Sequence, residues 1–441
     1  MKKILFLLIT IFVATGAIAH PWKPRHYVIA DTEGSDEDMR ALTMLLSSPD
    51  IRVLAITVSS GSMNSDAAYK KISKLLIDFH HEGMYIGIGS QAKSEVQSDR
   101  ISNQLIISRV LENEQSMVTL VCLAGLKTAA DILAVPGYRR KIKQIVISAD
   151  SRNYITFSDP KAVETVLKSD IPVAVVGDWK GEFFDSSFVN RIRDASGIYA
   201  EYLSRSFNNI INKASDEMVP VYIRYPALFL SGNENSYTPD QNKKAEFQSA
   251  FLKIISGETV ERNQVLREMP SEPSFYFADL EPYVTRIIDA YGKDEWSSGV
   301  LANELHRHLG TFAIIGVKMG IRAREYFNTG VDEFTVVSFA GSTPPMSCLN
   351  DGLQVSTGAT PGHGLLKVED KGMPMAEIRY KDRYIRIALR TEIADTISSE
   401  LKRINFIYGL DSDIYWELVR KNTIKYWLDL DRHDIFKIEE L

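Results

Sequence analysis

The first part of the sequence predicts an α/β fold, a mostly parallel β-sheet with helices on both faces, and a separate domain follows. Short apolar runs alternate with helix-like stretches through the first half of the chain, the pattern of a covered parallel sheet. The length of 441 residues exceeds one ordinary hydrophobic core. A segment rich in Gly, Glu, Pro and Ser at residues 256–275 reads as a linker. We therefore expect one domain over residues 20–265 and another over residues 280–441.

The expected elements of the first domain follow in chain order. Most of the strand-like runs are rich in Val, Ile and Leu, as buried parallel strands are. They lie at residues 26–30, 53–58, 84–88, 118–123, 145–147 and 172–176. The helix-like stretches lie between them at residues 67–79, 101–111 and 128–133. Ligands of such sheets bind beyond the carboxyl ends of the strands, which is where we expect a site.

The first residues have the pattern of a secretory signal peptide. Two lysines at Lys2 and Lys3 precede an apolar run at residues 4–13, and small residues end at Ala19. We expect residues 1–19 to be cleaved before His20, which predicts a periplasmic or secreted protein. No later segment reaches the ~18 uninterrupted apolar residues of a membrane helix, so we expect no membrane association after cleavage.

Composition and charge exclude some partners. The net charge of −6, without a basic stripe, argues against a nucleic acid as partner. The two cysteines are Cys122 and Cys348. A disulfide is compatible with export, but Cys122 falls in a strand-like run, so we expect two free thiols.

An acidic loop is the main functional signal of the chain. Residues 31–38 hold five carboxylates in eight positions, directly after the first strand-like run. Like charges this close are unfavourable unless a cation neutralises them, and Ca²⁺ prefers oxygen ligands. The alternative is a solvated turn with acidic groups that serve a helix N-terminus, but one or two carboxylates would suffice for that.

Five segments resemble the inosine-uridine-preferring nucleoside hydrolase family. The stretch Asp31–Leu42 resembles that family's DTDxGxDDAxAL loop, with glutamate at two aspartate positions. Residues 50–57 resemble its second strand, and residues 124–128 its GPLTN turn. Residues 159–162 and 215–218 resemble its DPEAA and HDPLA segments. The resemblance implies the nucleoside hydrolase fold, a nucleoside or related riboside as substrate, and Ca²⁺ as cofactor.

The resemblance also implies roles for particular residues. The implied Ca²⁺ ligands are Glu33, Asp38, Asp216 and the backbone carbonyl of Lys127. Glu33 would also activate the attacking water, because a carboxylate can take its proton. The implied ribose contacts are Glu37 and Asn153.

Two departures from that family leave a second function open. Ser215 replaces the histidine that helps the leaving base depart, and serine is a poor general acid near neutral pH. The family's ribose-binding EFN triplet falls on Asn153, Tyr154 and Ile155, so its glutamate and its asparagine are both missing. The first interpretation is a calcium-dependent N-glycosidase. The alternative is a catalytically inactive protein that binds a nucleoside, a sugar or a metal. A homo-oligomer is left open in both.

The second domain resembles the formylmethanofuran dehydrogenase E-subunit-like family. The resemblance rests on residues 305–312 and 347–364, which match its HGHxCPG-type and CxxDGIQVxTGCTxGKGN-type motifs. It implies an α+β domain with Zn²⁺. The implied zinc site comprises His306, His308, Cys348 and Asp351, a set rich in the imidazole and thiolate ligands that zinc prefers. Two family cysteines are replaced by Gly310 and Ala359, and a domain without metal is the alternative.

Overall fold

The computed structural model describes most of the chain from residue 24 to the C-terminus. The described residues are 24–59, 61, 63–89, 100–149, 159–207, 213–233, 235–258, 265–266 and 268–441. The expected signal peptide, Asn153 and part of the expected linker lie outside them. No helix among the described residues combines the length and apolarity needed to cross a membrane.

Strands and helices alternate through residues 24–258, which we call the N-terminal region. Its strands are β1 (His26–Thr32), β2 (Ile51–Val58), β3 (Tyr85–Ile88), β4 (Val118–Cys122), β5 (Ile142–Ser148), β6 (Val173–Val176), β7 (Phe229–Ser231) and β8 (Ser236–Pro239). Its helices are α1 (Asp36–Ser47), α2 (Ser65–Asp78), α3 (Asn103–Asn113), α4 (Lys127–Leu133), α5 (Pro136–Arg139), α6 (Pro160–Leu167), α7 (Ser186–Asp194), α8 (Ile198–Ser206), α9 (Met218–Arg224) and α10 (Lys244–Ile255).

The eight strands form one sheet in the order β3-β2-β1-β4-β5-β6-β8-β7. All neighbours are parallel except β7 and β8, which are antiparallel. Successive residues of β1 face opposite sides of the sheet: Val28 and Ala30 pack in one core cluster and Ile29 in another. Both faces are thus covered, and the predicted α/β class of this region is confirmed.

The C-terminal region, residues 265–441, has a smaller mixed sheet. Its helices are α11 (Val284–His306), α12 (Thr311–Phe327), α13 (Leu349–Thr357), α14 (Thr391–Tyr408) and α15 (Asp413–Asp429). Its strands are β9 (Thr335–Ser338), β10 (Leu366–Val368), β11 (Met375–Tyr380), β12 (Arg383–Leu389) and β13 (Phe436–Glu440). The order is β10-β9-β11-β12-β13, and only β10 and β9 are parallel. This confirms the α+β class expected for the region.

Two finer features complete the fold. Gly292 has a φ of 84° and a ψ of 165°, which are not helical, so α11 consists of two helical segments that meet at a kink there. Both cysteines are free and buried, as expected.

Candidate functional site

The carboxyl edge of the large sheet holds a buried acid at its centre. Asp31 lies near the end of β1, the strand between β2 and β4. Its carboxylate accepts hydrogen bonds from Thr57 at 2.6 Å, Ser59 at 2.8 Å and Thr128 at 3.0 Å. Burial raises the pKa of Asp31 to about 7, although the three hydroxyl groups oppose that shift. With these three donors in place, Asp31 ties the ends of neighbouring strands together.

Asp38 is fixed in the first turn of α1. Its Oδ2 accepts from the hydroxyl of Thr32 at 2.8 Å and from the backbone N–H groups of Glu33 at 2.8 Å and Gly34 at 3.0 Å. The side chain is 1% exposed. Three donors on one oxygen hold the carboxylate in a single orientation.

The turn before α1 explains this geometry. Ser35 caps the helix by accepting from the Asp38 N–H at 3.1 Å. Gly34 has a φ of 79°, and a Cβ there would lie 2.9 Å from the Cβ of Ala68. Only glycine fits both the backbone conformation and this close approach to α2.

Asp216 meets Asp38 at the same edge. It precedes α9, is 4% exposed, and its Oδ1 is buried with no hydrogen-bond partner among the described residues. Burial raises the pKa of Asp216 well above its ordinary value, and the negative charge of Asp38 raises it further. Two buried carboxyl groups in contact require either a shared proton or a cation between them.

This pair offers two of the oxygen ligands that a calcium site would need. An orphaned carboxylate oxygen beside a second, fixed carboxylate is a place where a hard cation relieves both charges. Within the described ranges of the chain, no three His, Cys, Asp or Glu side chains are arranged to hold a metal ion. Further oxygen ligands would therefore come from backbone, hydroxyl or water oxygens, which Ca²⁺ also accepts.

The other residues predicted for the first site lie nearby or point elsewhere. The Glu33 carboxylate lies over Gly61, where a Cβ would come within 1.4 Å of its Oε2. Glu37 Oε1 lies 3.6 Å from Nη2 of Arg40. The Lys127 side chain is exposed and pairs with Asp131 at 2.6 Å, at the start of α4.

A fully buried ion pair beneath the acidic loop was not expected from the sequence. Arg40 Nε donates to Glu217 Oε1 at 2.5 Å, and both side chains are fully buried. Glu217 Oε2 accepts from the backbone N–H of Ser215 at 2.9 Å. The pair links the helix that carries Asp38 to the turn that carries Asp216. The one signal in the sequence was an arginine inside an apolar helical run, which requires a buried partner.

Ser215 also has a defined partner. Its hydroxyl donates to Asp178 Oδ1 at 3.0 Å, just after the end of β6. This hydrogen bond uses the only proton that a serine hydroxyl can donate, so protonation of a leaving group by Ser215 would require the bond to break. That Ser215 is a poor general acid stays a prediction.

The predicted second-site residues lie at the end of α11 and around the start of α13, but no three of them are arranged to hold a metal ion within the described part of the chain. His306 Nδ1 lies 2.7 Å from Asp351 Oδ2, and its Nε2 is buried without a hydrogen-bond partner among the described residues. The rings of His306 and His308 are 4.0 Å apart. Burial raises the pKa of the Cys348 thiol to about 12, and the charge of Asp351 adds to the rise. A Cβ on Gly310 would lie 3.1–3.4 Å from both imidazoles.

A carboxylate that orients one imidazole nitrogen and leaves the other free is the usual arrangement of metal-binding histidines. His306 and Asp351 fit that arrangement. The raised pKa keeps the Cys348 thiol protonated, so a metal would have to displace its proton.

Comparison with known proteins gives two separate relationships. Residues 305–426 match the family FmdE, described as "FmdE, Molybdenum formylmethanofuran dehydrogenase operon". The pyrimidine-specific ribonucleoside hydrolase RihA of Klebsiella pneumoniae (strain 342) is 23% identical over 184 residues, which cover 34% of this chain. The chain spans 59% of the length of the curated relatives that it matches.

Solved structures of nucleoside hydrolases are also similar. The plant nucleoside hydrolase PpNRh1 is 16% identical with a TM-score of 0.41, covering 53% of this chain and 99% of that enzyme. The purine-preferring ribonucleoside hydrolase from Gardnerella vaginalis is 14% identical with a TM-score of 0.42, covering 53% and 98%. The chain thus combines an N-terminal region distantly similar to nucleoside hydrolases with an FmdE domain at residues 305–426.

Proposed function

We propose that the N-terminal region is a calcium-dependent hydrolase of N-glycosidic bonds in nucleosides or related ribosides. The main supporting observation is the contact between Asp38 and Asp216, two buried carboxyl groups at the carboxyl edge of a parallel sheet. The distant similarity to ribonucleoside hydrolases supports the substrate class. Bound Ca²⁺ would orient a water and the ribose hydroxyls, and Glu33 would take a proton from that water.

The engaged hydroxyl of Ser215 favours substrates whose leaving group needs no protonation. An activated riboside such as nitrophenyl riboside is therefore expected to be cleaved faster than inosine. The alternative, an inactive protein that binds a nucleoside, sugar or metal, differs in one respect: ligands bind but no ribose is released. We propose an exported location, from the signal-like pattern of the first residues.

Calorimetry with Ca²⁺ and a ribose-release assay test this function together. Mutation of a residue that only supports a metal ligand lowers metal affinity by roughly 10–100-fold. Because Asp38 would be a ligand itself, Asp38→Asn is expected to weaken Ca²⁺ binding by more than that and to abolish ribose release. Asp78→Asn is the control, because that exposed carboxylate pairs with Lys74 on the same helix, α2. Binding of Ca²⁺ and nucleoside without ribose release would favour the inactive alternative. Equal Ca²⁺ affinity in Asp38→Asn and the parent would remove the site.

We propose in addition that the second cluster binds Zn²⁺ through His306, His308 and Cys348. The supporting observation is the free, buried Nε2 of His306, whose other nitrogen Asp351 holds. Elemental analysis of the purified full chain is the test, with Cys348→Ser as the variant. Cys122→Ser is a matched control, because Cys122 is also a buried free thiol but lies in β4. Equal zinc in all three proteins would exclude Cys348 as a ligand.

A further inference from the structure

An exposed apolar surface covers the tip of the hairpin formed by α14 and α15. Six large apolar residues within eleven positions are at least 43% exposed there. They are Phe406 at 91%, Ile407 at 58%, Tyr408 at 43%, Leu410 at 53%, Ile414 at 50% and Trp416 at 44%. We call this surface the hairpin tip. Single exposed apolar residues are normal on proteins, but a contiguous group of this kind marks an interaction site.

The tip is an ordered surface of two helix ends and their short connection. The indole N–H of Trp416 donates to the carbonyl of Leu410 at 2.9 Å, which fixes the connection against α15. The Trp416 ring also packs on His308, with ring centroids 5.1 Å apart. The apolar surface is therefore held in a defined shape and borders the histidine cluster.

Unpaired charges of opposite sign surround the tip. Two basic residues lie on α14, and three acidic residues lie in the connection and on α15. They are Lys402, Arg403, Asp411, Asp413 and Glu417, and none has an ion-pair partner within the described part of the chain. Farther along α15, by contrast, Arg420 forms an ion pair with Asp279.

We propose that the hairpin tip is the interface of a symmetric homodimer of this chain. A two-fold axis through the tip places α14 of one copy against α15 of the other, so each basic side meets an acidic side twice. The surface therefore complements itself in charge. The six side chains expose on the order of 600 Å², if a large apolar side chain offers about 150–250 Å². A standard interface buries about 800 Å² per partner, which the charged rim would complete.

A second copy of the chain matches these charges better than a membrane surface does. A membrane-inserting surface is expected to carry basic residues beside its apolar residues. Around the hairpin tip, three of the five surrounding charges are acidic. Dimerisation would also cover the Trp416 ring and with it one side of His308.

The test is sedimentation equilibrium of the full chain with two isoleucine variants. Ile407→Glu is expected to raise the dimer dissociation constant by about 100-fold, as loss of a central contact does. Ile77→Glu is the matched control, because Ile77 on α2 is also 58% exposed but lies in the N-terminal region. A dimer that Ile407→Glu leaves intact, or a parent that is monomeric at every concentration, overturns the proposal. Binding of the parent to anionic vesicles through this surface overturns it as well.

Charge reversal tests the symmetry independently of folding. Lys402→Glu with Arg403→Glu makes the rim wholly acidic, and Asp411→Lys with Asp413→Lys makes it mostly basic. Each double variant alone is expected to be largely monomeric, because like charges then face each other. An equimolar mixture of the two is expected to restore the dimer. Failure of the mixture to associate, when both variants are folded by circular dichroism, contradicts the two-fold arrangement.

Discussion

At the scale of single residues, the acidic edge depends on how each charge is neutralised. Asp31 is neutralised by hydroxyl donors and a raised pKa, and Asp38 by backbone N–H groups. Glu217 is neutralised by Arg40, whose position between Glu217 and Glu37 brings a positive charge into the core of the loop. Asp216 keeps a buried Oδ1 with no hydrogen-bond partner among the described residues and lies beside the charge of Asp38, so it is the group with most to gain from a bound cation.

The pair of Arg40 and Glu217 gives a prediction about stability. Arg40→Met leaves a buried carboxylate without its partner, so we expect the free energy of unfolding to fall by about 3–5 kcal/mol. Adding Glu217→Gln removes the stranded charge and is expected to recover most of that loss. Urea unfolding of the two proteins provides the measurement.

Arg205→Met is the control for this prediction. It breaks an exposed pair with Glu201 on α8 and is expected to change stability by less than about 0.5 kcal/mol. A double variant that is as unstable as Arg40→Met alone would show that packing, not charge, determines the loss.

At the scale of elements, local sequence predicts more than distant contacts do. The alternation of apolar runs predicted β1 to β6 and α2 to α4, with boundaries within a few residues of those observed. The acidic loop pointed to Asp38 because the loop is continuous in sequence, and the role of Asp38 as a Ca²⁺ ligand stays a prediction. Local sequence did not predict the ion pair of Arg40 and Glu217, since these residues are 177 positions apart and only the fold brings them together.

Residues 80–83, just after the end of α2, show how one short segment joins the two regions. His81 Nδ1 lies 2.6 Å from the carbonyl of Glu325, and its Nε2 lies 2.7 Å from the hydroxyl of Tyr199. The His80 ring stacks on His433 at 3.6 Å. Burial lowers the pKa of His81 to about 4, because the charged imidazolium would be desolvated at this contact.

This shift predicts a dependence of stability on pH. The pKa of His81 is about 6.5 in the unfolded chain, so the folded state binds this proton more weakly than the unfolded chain does. The stabilisation that neutral His81 contributes is therefore fully present above pH 6.5 and is lost as pH falls towards 4. Between pH 7.5 and 4.5 the parent is expected to lose about 2 kcal/mol more than His81→Gln. Urea unfolding at both pH values measures the difference. The same loss in both proteins would mean that His81 does not contribute.

At the scale of the whole molecule, the two regions are joined by buried charged groups. Arg52 on β2 is 3% exposed and donates to Glu333 at 3.2 and 2.5 Å and to the carbonyl of Asn328. Arg322 on α12 donates to Glu82 at 2.9 and 3.0 Å. Each of these ion pairs has one partner in each region. Separation of the regions would therefore break all of these pairs.

The two sheets are therefore expected to unfold together, and Arg52 is the residue whose loss should separate them. Differential scanning calorimetry of the parent is expected to show one transition, because the regions share buried ion pairs whose loss costs about 3–5 kcal/mol. Arg52→Met removes the partner of Glu333 and the donor to Asn328, and is expected to give two transitions or one broadened transition.

Arg139→Met, which breaks the exposed pair with Asp170 inside the N-terminal region, should leave the single transition unchanged. Two transitions already present in the parent would show that the regions are stable independently, and that the contacts of Arg52 orient them without coupling their folding.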